Sequence, residues 1–228
     1  MTAQFQPRRR STKTPIVPLT IGALGTAGVV ALFFLVPGVQ FFELALLLVV
    51  VGFGALSCAQ GIVRGAMSAV MLYIATGAAA TFYPVPAPYI GAMQRVLGLL
   101  LTGNAFSGDP GGSISENVNR NSLALSFGLL AVLIWAILEA LGRTSFRDTR
   151  LPRLGILDNA SGFIVYLALG VLVASLSFNT LGYGRLRAVH NEALLRPRFN
   201  QVLTLHYAAQ SFWFPERPPP IYVYDLDL

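Results

Sequence analysis

The stretch ELALLLVVVGFGALSCAQGIVRGAMSAVMLYIATGAAATF, residues 43–82, decides the fold of this chain. It contains two uncharged apolar runs, residues 44–63 and 65–83, which are separated by Arg64 alone. At ~1.5 Å per residue, each run of about 20 residues is long enough to cross the roughly 30 Å of hydrocarbon in a bilayer. A lone arginine between them reaches lipid headgroups only if the turn lies at a membrane surface. The stretch therefore predicts a tight transmembrane hairpin.

The composition supports the same class of protein. Hydrophobic residues make up 54% of the chain, charged residues 11%, and the mean hydropathy is +0.63. A soluble globule of 228 residues would need far more polar surface. The net charge of +6 would suggest nucleic acid in a soluble protein, but here the basic residues lie at the ends of apolar runs, where they set topology. We therefore predict an all-α integral membrane protein that does not bind nucleic acid.

Further segments complete the predicted organisation. Residues 1–14 are basic and form a cytoplasmic tail. Residues 15–36 form a retained transmembrane helix, because their uncharged run is too long for a signal-peptide core. Together with the hairpin, spans at residues 123–138 and 162–178 complete a membrane domain over residues 41–180. The fold prediction is thus about five transmembrane helices with an amphipathic C-terminal tail.

Three prolines, Pro84, Pro86 and Pro88, end the second run of the hairpin, since proline lacks an amide donor and restricts the residue before it. Residues 89–101 then resume a mainly apolar pattern that favours a short helix lying in the membrane interface. The alternative is one longer helix that is kinked at the prolines.

The basic residues also predict how the chain is oriented. With the N-terminus in the cytoplasm, the positive-inside rule is satisfied. Nine basic residues then lie on the cytoplasmic side: Arg8, Arg9, Arg10, Lys13, Arg64, Arg143, Arg147, Arg150 and Arg153. Only Arg95 and Arg120 lie in outer loops between spans. We expect a multi-pass protein of the bacterial cytoplasmic (inner) membrane whose C-terminal tail lies outside.

That tail, residues 181–228, is predicted to carry an amphipathic helix over residues 192–214, followed by a proline-rich end. Arg196 and Arg198 can meet lipid phosphates, and Trp213 is suited to headgroup depth. These residues predict that the tail lies on the outer leaflet. Because the apolar face is imperfect, packing of this helix on the protein's own outer loops is the alternative.

Three motifs resemble the colicin V production protein family, four-helix membrane proteins of the bacterial envelope. The first is a helix that opens on the acid Glu43 and closes on Gly61-Ile62-Val63-Arg64. The second is Asp158 followed by Gly162 and Gly170 in the last span. The third, Glu192-Ala193-Leu194-Leu195-Arg196-Pro197, is similar to the family's Ser-x-Leu-x-Pro segment. The resemblance implies that residues 15–36 are a helix added to the family's four.

The chain departs from the family pattern at three positions. Tyr166 stands where a glycine is usual between Gly162 and Gly170, Asn159 replaces the arginine after Asp158, and Gly65 replaces the glutamate after Arg64. These replacements remove members of any charge network that the family's residues make.

Each motif residue also has a structural interpretation. Asp158 and Glu43 suit helix starts, where carboxylates accept amide hydrogen bonds and meet the positive end of the dipole. Arg64 is either a topology anchor or a charge partner of Glu139 or Asp158. Glu139 lies four residues before Arg143, so the two can form an ion pair on one helix face.

The glycines of the last span predict close packing. Gly162, Gly170 and Ala174 recur at intervals of four or eight residues, which places them on one helix face. Small residues on one face allow a neighbouring backbone to approach closely.

No feature of the sequence predicts catalysis, a cofactor or a metal site. His190 and His206 both lie in the tail without an adjacent nucleophile or metal-ligand spacing, and are interpreted as ordinary interfacial or surface residues. Cys58 is the single cysteine and cannot form an intramolecular disulfide.

Two functions are compatible with these residues. The resemblance implies a non-enzymatic scaffold or accessory factor in toxin production and export or in envelope maintenance. Its partners would be the lipid bilayer and other envelope proteins or a second copy. The alternative is a subunit of a small oligomeric channel or transporter, although the spans show neither an internal repeat nor a charge at mid-membrane depth.

Overall fold

The computed structural model describes residues 16–102, 118, 120–145, 156–182 and 187–211. The regular elements in this part of the chain are all helices, as the all-α prediction requires. In chain order they are α1 Ile16–Leu35, α2 Phe41–Phe82, α3 Ala87–Thr102, α4 Arg120–Ser145, α5 Ile156–Gly182, α6 Arg187–Glu192 and α7 Arg196–Ser211.

The predicted hairpin is formed by α2. Its helical geometry is broken at Gly61, whose φ of 72° and ψ of 171° divide it into a first arm, residues 41–60, and a second arm, residues 62–82. An L-residue with a side chain rarely adopts this φ, so the turn requires glycine. Arg64 follows three residues later, at the turn, as predicted.

Helix α5 lies along both arms. A Cβ built on Gly162 would be 2.9 Å from the backbone carbon of Gly61, and one on Gly170 would be 3.0 Å from the Cα of Val50. The predicted close approach is therefore found. On the second arm, Ala79 packs in one apolar cluster with Leu176. Helix α5 thus starts beside the turn and runs antiparallel to the first arm and parallel to the second.

Helix α4 runs antiparallel to the second arm. Ser126, near its start, donates a hydrogen bond to the carbonyl of Tyr83, and Glu139, near its end, accepts one from Ser68. The bundle therefore has two distinct ends. We call the end that holds Gly61 and Glu139 the hinge end, and the end that holds Glu43 and Tyr83 the tail end.

By length and composition, three helical segments among the described residues could each cross a membrane: Gly61–Phe82, Asn121–Ser145 and Ala160–Gly182. Leu19–Leu35 and Phe41–Ser57 are shorter apolar helices. Phe41–Ser57 packs against α1, because a Cβ on Gly25 of α1 would lie 2.7 Å from the side chain of Val51. The helices are those of a membrane protein, and the count of five spans stays a prediction.

The proline-rich turn separates α2 from α3. Helix α2 ends at Phe82 and α3 begins at Ala87, so the single kinked helix that was the alternative is not formed. Helix α3 packs against α4. Its predicted position in the membrane interface stays a prediction.

Candidate functional site

The carboxylate of Glu43 joins two distant segments at the tail end of the bundle. Its Oε2 accepts a hydrogen bond of 2.9 Å from the backbone N–H of Gln40, as a residue in the first turn of a helix can. Its Oε1 accepts one of 2.6 Å from the backbone N–H of Leu195, between α6 and α7. The side chain is fully buried, at 0% exposure. The first contact follows from the sequence, whereas the second links the start of α2 to the tail.

His190 lies in the same region, within an aromatic cluster. Its Nε2 is 3.1 Å from the Oδ1 of Asn179, and its ring stacks on Phe178 with centroids 4.4 Å apart. Phe178 in turn contacts Phe42 and Phe199. The imidazole is 5% exposed, so the interpretation of His190 as a surface residue is wrong.

His206 lies on α7 and contacts the second arm of the hairpin. Its Nε2 is 3.1 Å from Thr76 Oγ1, which also accepts a hydrogen bond of 2.6 Å from Gln210 Nε2. One turn earlier on α2, the hydroxyl of Tyr73 donates to the carbonyl of Ala209. His206 is 8% exposed, so its interpretation as a surface residue is also wrong. Burial lowers the pKa of His206 from 6.5 to about 4, because desolvation disfavours the charged imidazolium.

These contacts place α7 lengthwise against the bundle. It starts beside Glu43 at the tail end and ends beside Tyr73, about halfway along the second arm. Phe199 and Leu203 are buried in apolar clusters formed with α2, α4 and α5. The amphipathic helix predicted over residues 192–214 is therefore found in part, as α7, Arg196–Ser211. Its apolar face contacts the membrane helices rather than the outer loops named in the alternative.

The structure describes two of the three predicted membrane-surface residues, Arg196 and Arg198. Arg198 is exposed and hydrogen-bonds Gln201 at 3.2 Å. Arg196 is the first residue of α7, whereas Trp213 lies outside the described residues. Contact of these three residues with lipid stays a prediction.

Charged residues gather at the hinge end. The predicted ion pair is formed, with Arg143 Nε 3.1 Å from Glu139 Oε1, and Ser68 donates to Glu139 Oε2 at 3.0 Å. Tyr166 lies within the electrostatic influence of Glu139, Arg64 and Arg143. Arg64 thus belongs to the same group. Among the described residues, the ion pair of Glu139 is with Arg143.

Asp158 was predicted to begin the last span. It lies in the first turn of α5, which starts at Ile156, and its side chain is outside what the structure describes. A place in the first turn still allows a favourable interaction with the helix dipole.

An apolar cavity of about 220 Å³ lies between α4 and α5. Leu72, Phe127, Val132, Trp135 and Leu176 contribute to its wall, and Ser177 and Thr180 are its polar residues. Among the described residues, no group of three or more His, Cys, Asp or Glu side chains could hold a metal ion.

The sequence could not reveal the tail contacts. Glu43 was recognisable from its spacing to a helix start, and Leu195 from the Glu192–Pro197 segment, but nothing local joined them. His206 and Gln210 are polar residues on the buried face of α7, and their polarity made that face look imperfect. The available signal was the spacing of four residues between His206 and Gln210, which places both on one face of the helix.

Comparison with models of known protein families gives a match. The family model described as Colicin V production protein matches residues 42–203. The matched region begins one residue before Glu43 and ends at Leu203, so it includes α6 and the first half of α7 and leaves α1 outside. No match was found among curated proteins or among solved structures.

Proposed function

Since the chain belongs to the colicin V production protein family, we propose that it is a non-enzymatic scaffold or accessory factor of the bacterial cytoplasmic membrane. It acts in toxin production and export or in envelope maintenance. Its partners are the lipid bilayer and other envelope proteins or a second copy of the chain.

The observation that carries this proposal is the pair of hydrogen bonds accepted by the carboxylate of Glu43. Both carboxylate oxygens accept backbone N–H groups, one from the start of α2 and one from the start of the tail. A buried carboxylate satisfied in this way holds segments together. His190 and His206 are likewise bonded to α5 and α2. These contacts support a framework that holds its C-terminal tail in a fixed position.

Orientation is part of the proposal. The N-terminus and the hinge end, with Arg64 and Arg143, face the cytoplasm, and the tail end faces the opposite side. The positive-inside rule supports this orientation. The docked tail is then available to partners outside the cytoplasmic membrane.

Affinity purification from native membranes tests the scaffold function. We expect a defined envelope protein to co-purify with the full chain and to be lost with E43Q, which weakens the link to Leu195. E192Q is the matched control, because Glu192 is an exposed carboxylate close by in the tail. Recovery of no more protein with the wild-type chain than from membranes lacking the tagged chain would contradict the proposal, and equal recovery of the partner with the wild type and with E43Q would contradict the role given to Glu43.

A channel or transporter subunit is the second candidate. The observation that favours it is the polar group formed by Thr76, His206 and Gln210 about halfway along the second arm. Ionisable residues at such depth in membrane proteins often mark ion pathways. Solute or ion flux through vesicles that contain this chain alone would support this candidate.

A further inference from the structure

Helix α7 runs antiparallel to the second arm of the hairpin and in register with it. Three pairs of residues, each about one turn further along both helices, show this register: Leu203 with Ala79, His206 with Thr76, and Ala209 with Tyr73. The first pair shares an apolar cluster, and the other two pairs are joined by hydrogen bonds. Because residue numbers rise along α7 as they fall along the second arm, α7 leads from the tail end toward the middle of the bundle.

The contacts of α7 show how deep its second half lies. The second arm belongs to Gly61–Phe82, a segment that is long and apolar enough to cross a membrane. At ~1.5 Å per residue, Thr76 and Tyr73 lie roughly 9 and 14 Å from Phe82 along the helix axis. Half of the hydrocarbon layer of a bilayer is about 15 Å thick. When this segment crosses the membrane, residues 204–211 of α7 are therefore level with the hydrocarbon.

The exposed side chains of α7 change in character along the helix. Near its start they are Pro197, Arg198 and Gln201. In the second half, one hydroxyl residue, Thr204, is followed by apolar residues: Leu205, Ala208 and Ala209. Leu205 is 73% exposed. A helix in water would carry polar residues on such a face, so the face formed by residues 204–209 is suited to lipid.

The buried face of the same half has the opposite character. His206 and Gln210 are buried, and both hydrogen-bond Thr76. Polar side chains at membrane depth are almost always directed into the bundle, where protein groups replace water as partners. Residues 204–211 thus have apolar side chains outward and polar side chains inward, which is the arrangement of a helix that hydrocarbon surrounds.

Side chains also satisfy the end of α7. The last four carbonyls of an α-helix lack partners within the helix, and in hydrocarbon they cannot bind water. The carbonyl of Ala208 accepts a hydrogen bond of 2.7 Å from the hydroxyl of Ser211, and the carbonyl of Ala209 accepts one from the hydroxyl of Tyr73. The hydroxyl of Thr204 donates to the carbonyl four residues earlier, at 2.9 Å. These polar groups therefore have protein partners, as insertion into hydrocarbon requires.

We propose that α7 is inserted into the hydrocarbon layer beside the second arm, with Arg198 at headgroup depth and the exposed face of residues 204–209 in contact with lipid acyl chains. The hydrogen bonds to Thr76 and Tyr73 then hold a short helix inside the membrane without letting it cross. This goes beyond the scaffold function, which requires that the tail is held by Glu43 but not that it enters the hydrocarbon.

Quenching of a fluorescent label by brominated lipid tests the insertion. L205C is introduced into a C58S background, which lacks the native cysteine, and the full chain is labelled with bimane and reconstituted in lipid nanodiscs. Phosphatidylcholine with bromine midway along its acyl chains reports contact with hydrocarbon, and iodide in the buffer reports contact with water. We expect strong quenching by the brominated lipid and little by iodide. A208C, on the same exposed face, should give the same result and takes the place of L205C if that variant does not fold.

Two further labels provide the controls. L133C lies on the exposed side of α4, within Asn121–Ser145, and should be quenched by brominated lipid. R198C is exposed near the start of α7 and should be quenched by iodide. Quenching of L205C and A208C by iodide to the level of R198C would overturn the proposal, because the second half of α7 would then lie in water. Quenching by neither agent would also overturn it, because another protein surface would then cover this face.

Discussion

The ring of Tyr166 lies against Gly65, with its Cε2 3.2 Å from the position that a Cβ on Gly65 would take. Val165 approaches the same position to 3.1 Å. Tyr166 and Gly65 are two of the positions at which the sequence departs from the motifs that resemble the family. The ring of Tyr166 occupies the space that a side chain at residue 65 would need. The buried Tyr166 also brings a hydroxyl close to the charges at the hinge end.

This relationship predicts coupled effects of restoring the family residues. G65E should destabilise the chain because its side chain meets the ring of Tyr166, and Y166G should destabilise it by leaving a cavity. In the double variant, the loss of unfolding free energy should be smaller than the sum of the single losses by about 0.5–3 kcal/mol. Equilibrium unfolding in mixed detergent micelles measures these values.

The control for this cycle combines G65E with L133A, because Leu133 lies exposed on α4. The losses of unfolding free energy in G65E and L133A should be additive in the double variant. Additive losses for the G65E and Y166G pair as well would show that the two departures are independent.

The contact between α5 and the hairpin turn predicts a second effect. G162A places a methyl group 2.9 Å from the backbone carbon of Gly61, where only the backbone can give way. We expect a loss of about 1–3 kcal/mol in unfolding free energy. G52A is the matched control, because a Cβ there would have no heavy atom within 4 Å and alanine favours the helix. Equal stability of G162A and G52A would contradict the close packing.

The hairpin and the helix ends were predictable because they depend on local sequence patterns. The turn at Gly61, the first turn of α2 with Glu43 and the pair of Glu139 with Arg143 each depend on residues a few positions apart. The glycines of α5 predicted a close neighbour, although not which one. By contrast, the contacts of Leu195 and His206 join residues 152 and 130 positions away in the chain, where sequence spacing carries no information. Tertiary packing placed these polar groups inside the bundle.

Glu43 gives a prediction about the tail. In E43Q, the side-chain amide offers one oxygen where the carboxylate offers two, so one of the N–H groups of Gln40 and Leu195 loses its acceptor. The expected cost is about 1–3 kcal/mol. Hydrogen exchange should show faster exchange at Leu195 and across the start of α7. E192Q, which changes an exposed carboxylate, should exchange as the wild type does, and slow exchange at Leu195 in E43Q would refute the link.

The proposed orientation predicts which residues can be labelled in intact cells. In a C58S background without native cysteine, S145C lies at the hinge end of α4 and should not react with an impermeant thiol reagent added outside. V85C is the matched control, because Val85 is exposed at the tail end between α2 and α3 and should react. If S145C were labelled from outside and V85C were not, the orientation in the membrane would be the opposite of the one proposed.

Flux through vesicles that contain this chain alone tests the central claim most directly. The purified full chain is reconstituted into liposomes loaded with a pH-sensitive dye and separately with a self-quenching solute. A potassium gradient with valinomycin supplies the driving force for ions; gramicidin provides the positive control for proton flux, and detergent lysis provides it for solute release. The scaffold function predicts release no faster than from protein-free vesicles at pH 7.5. Release that rises with protein density, and that is altered by T76V, would contradict it and establish the chain as a channel or transporter.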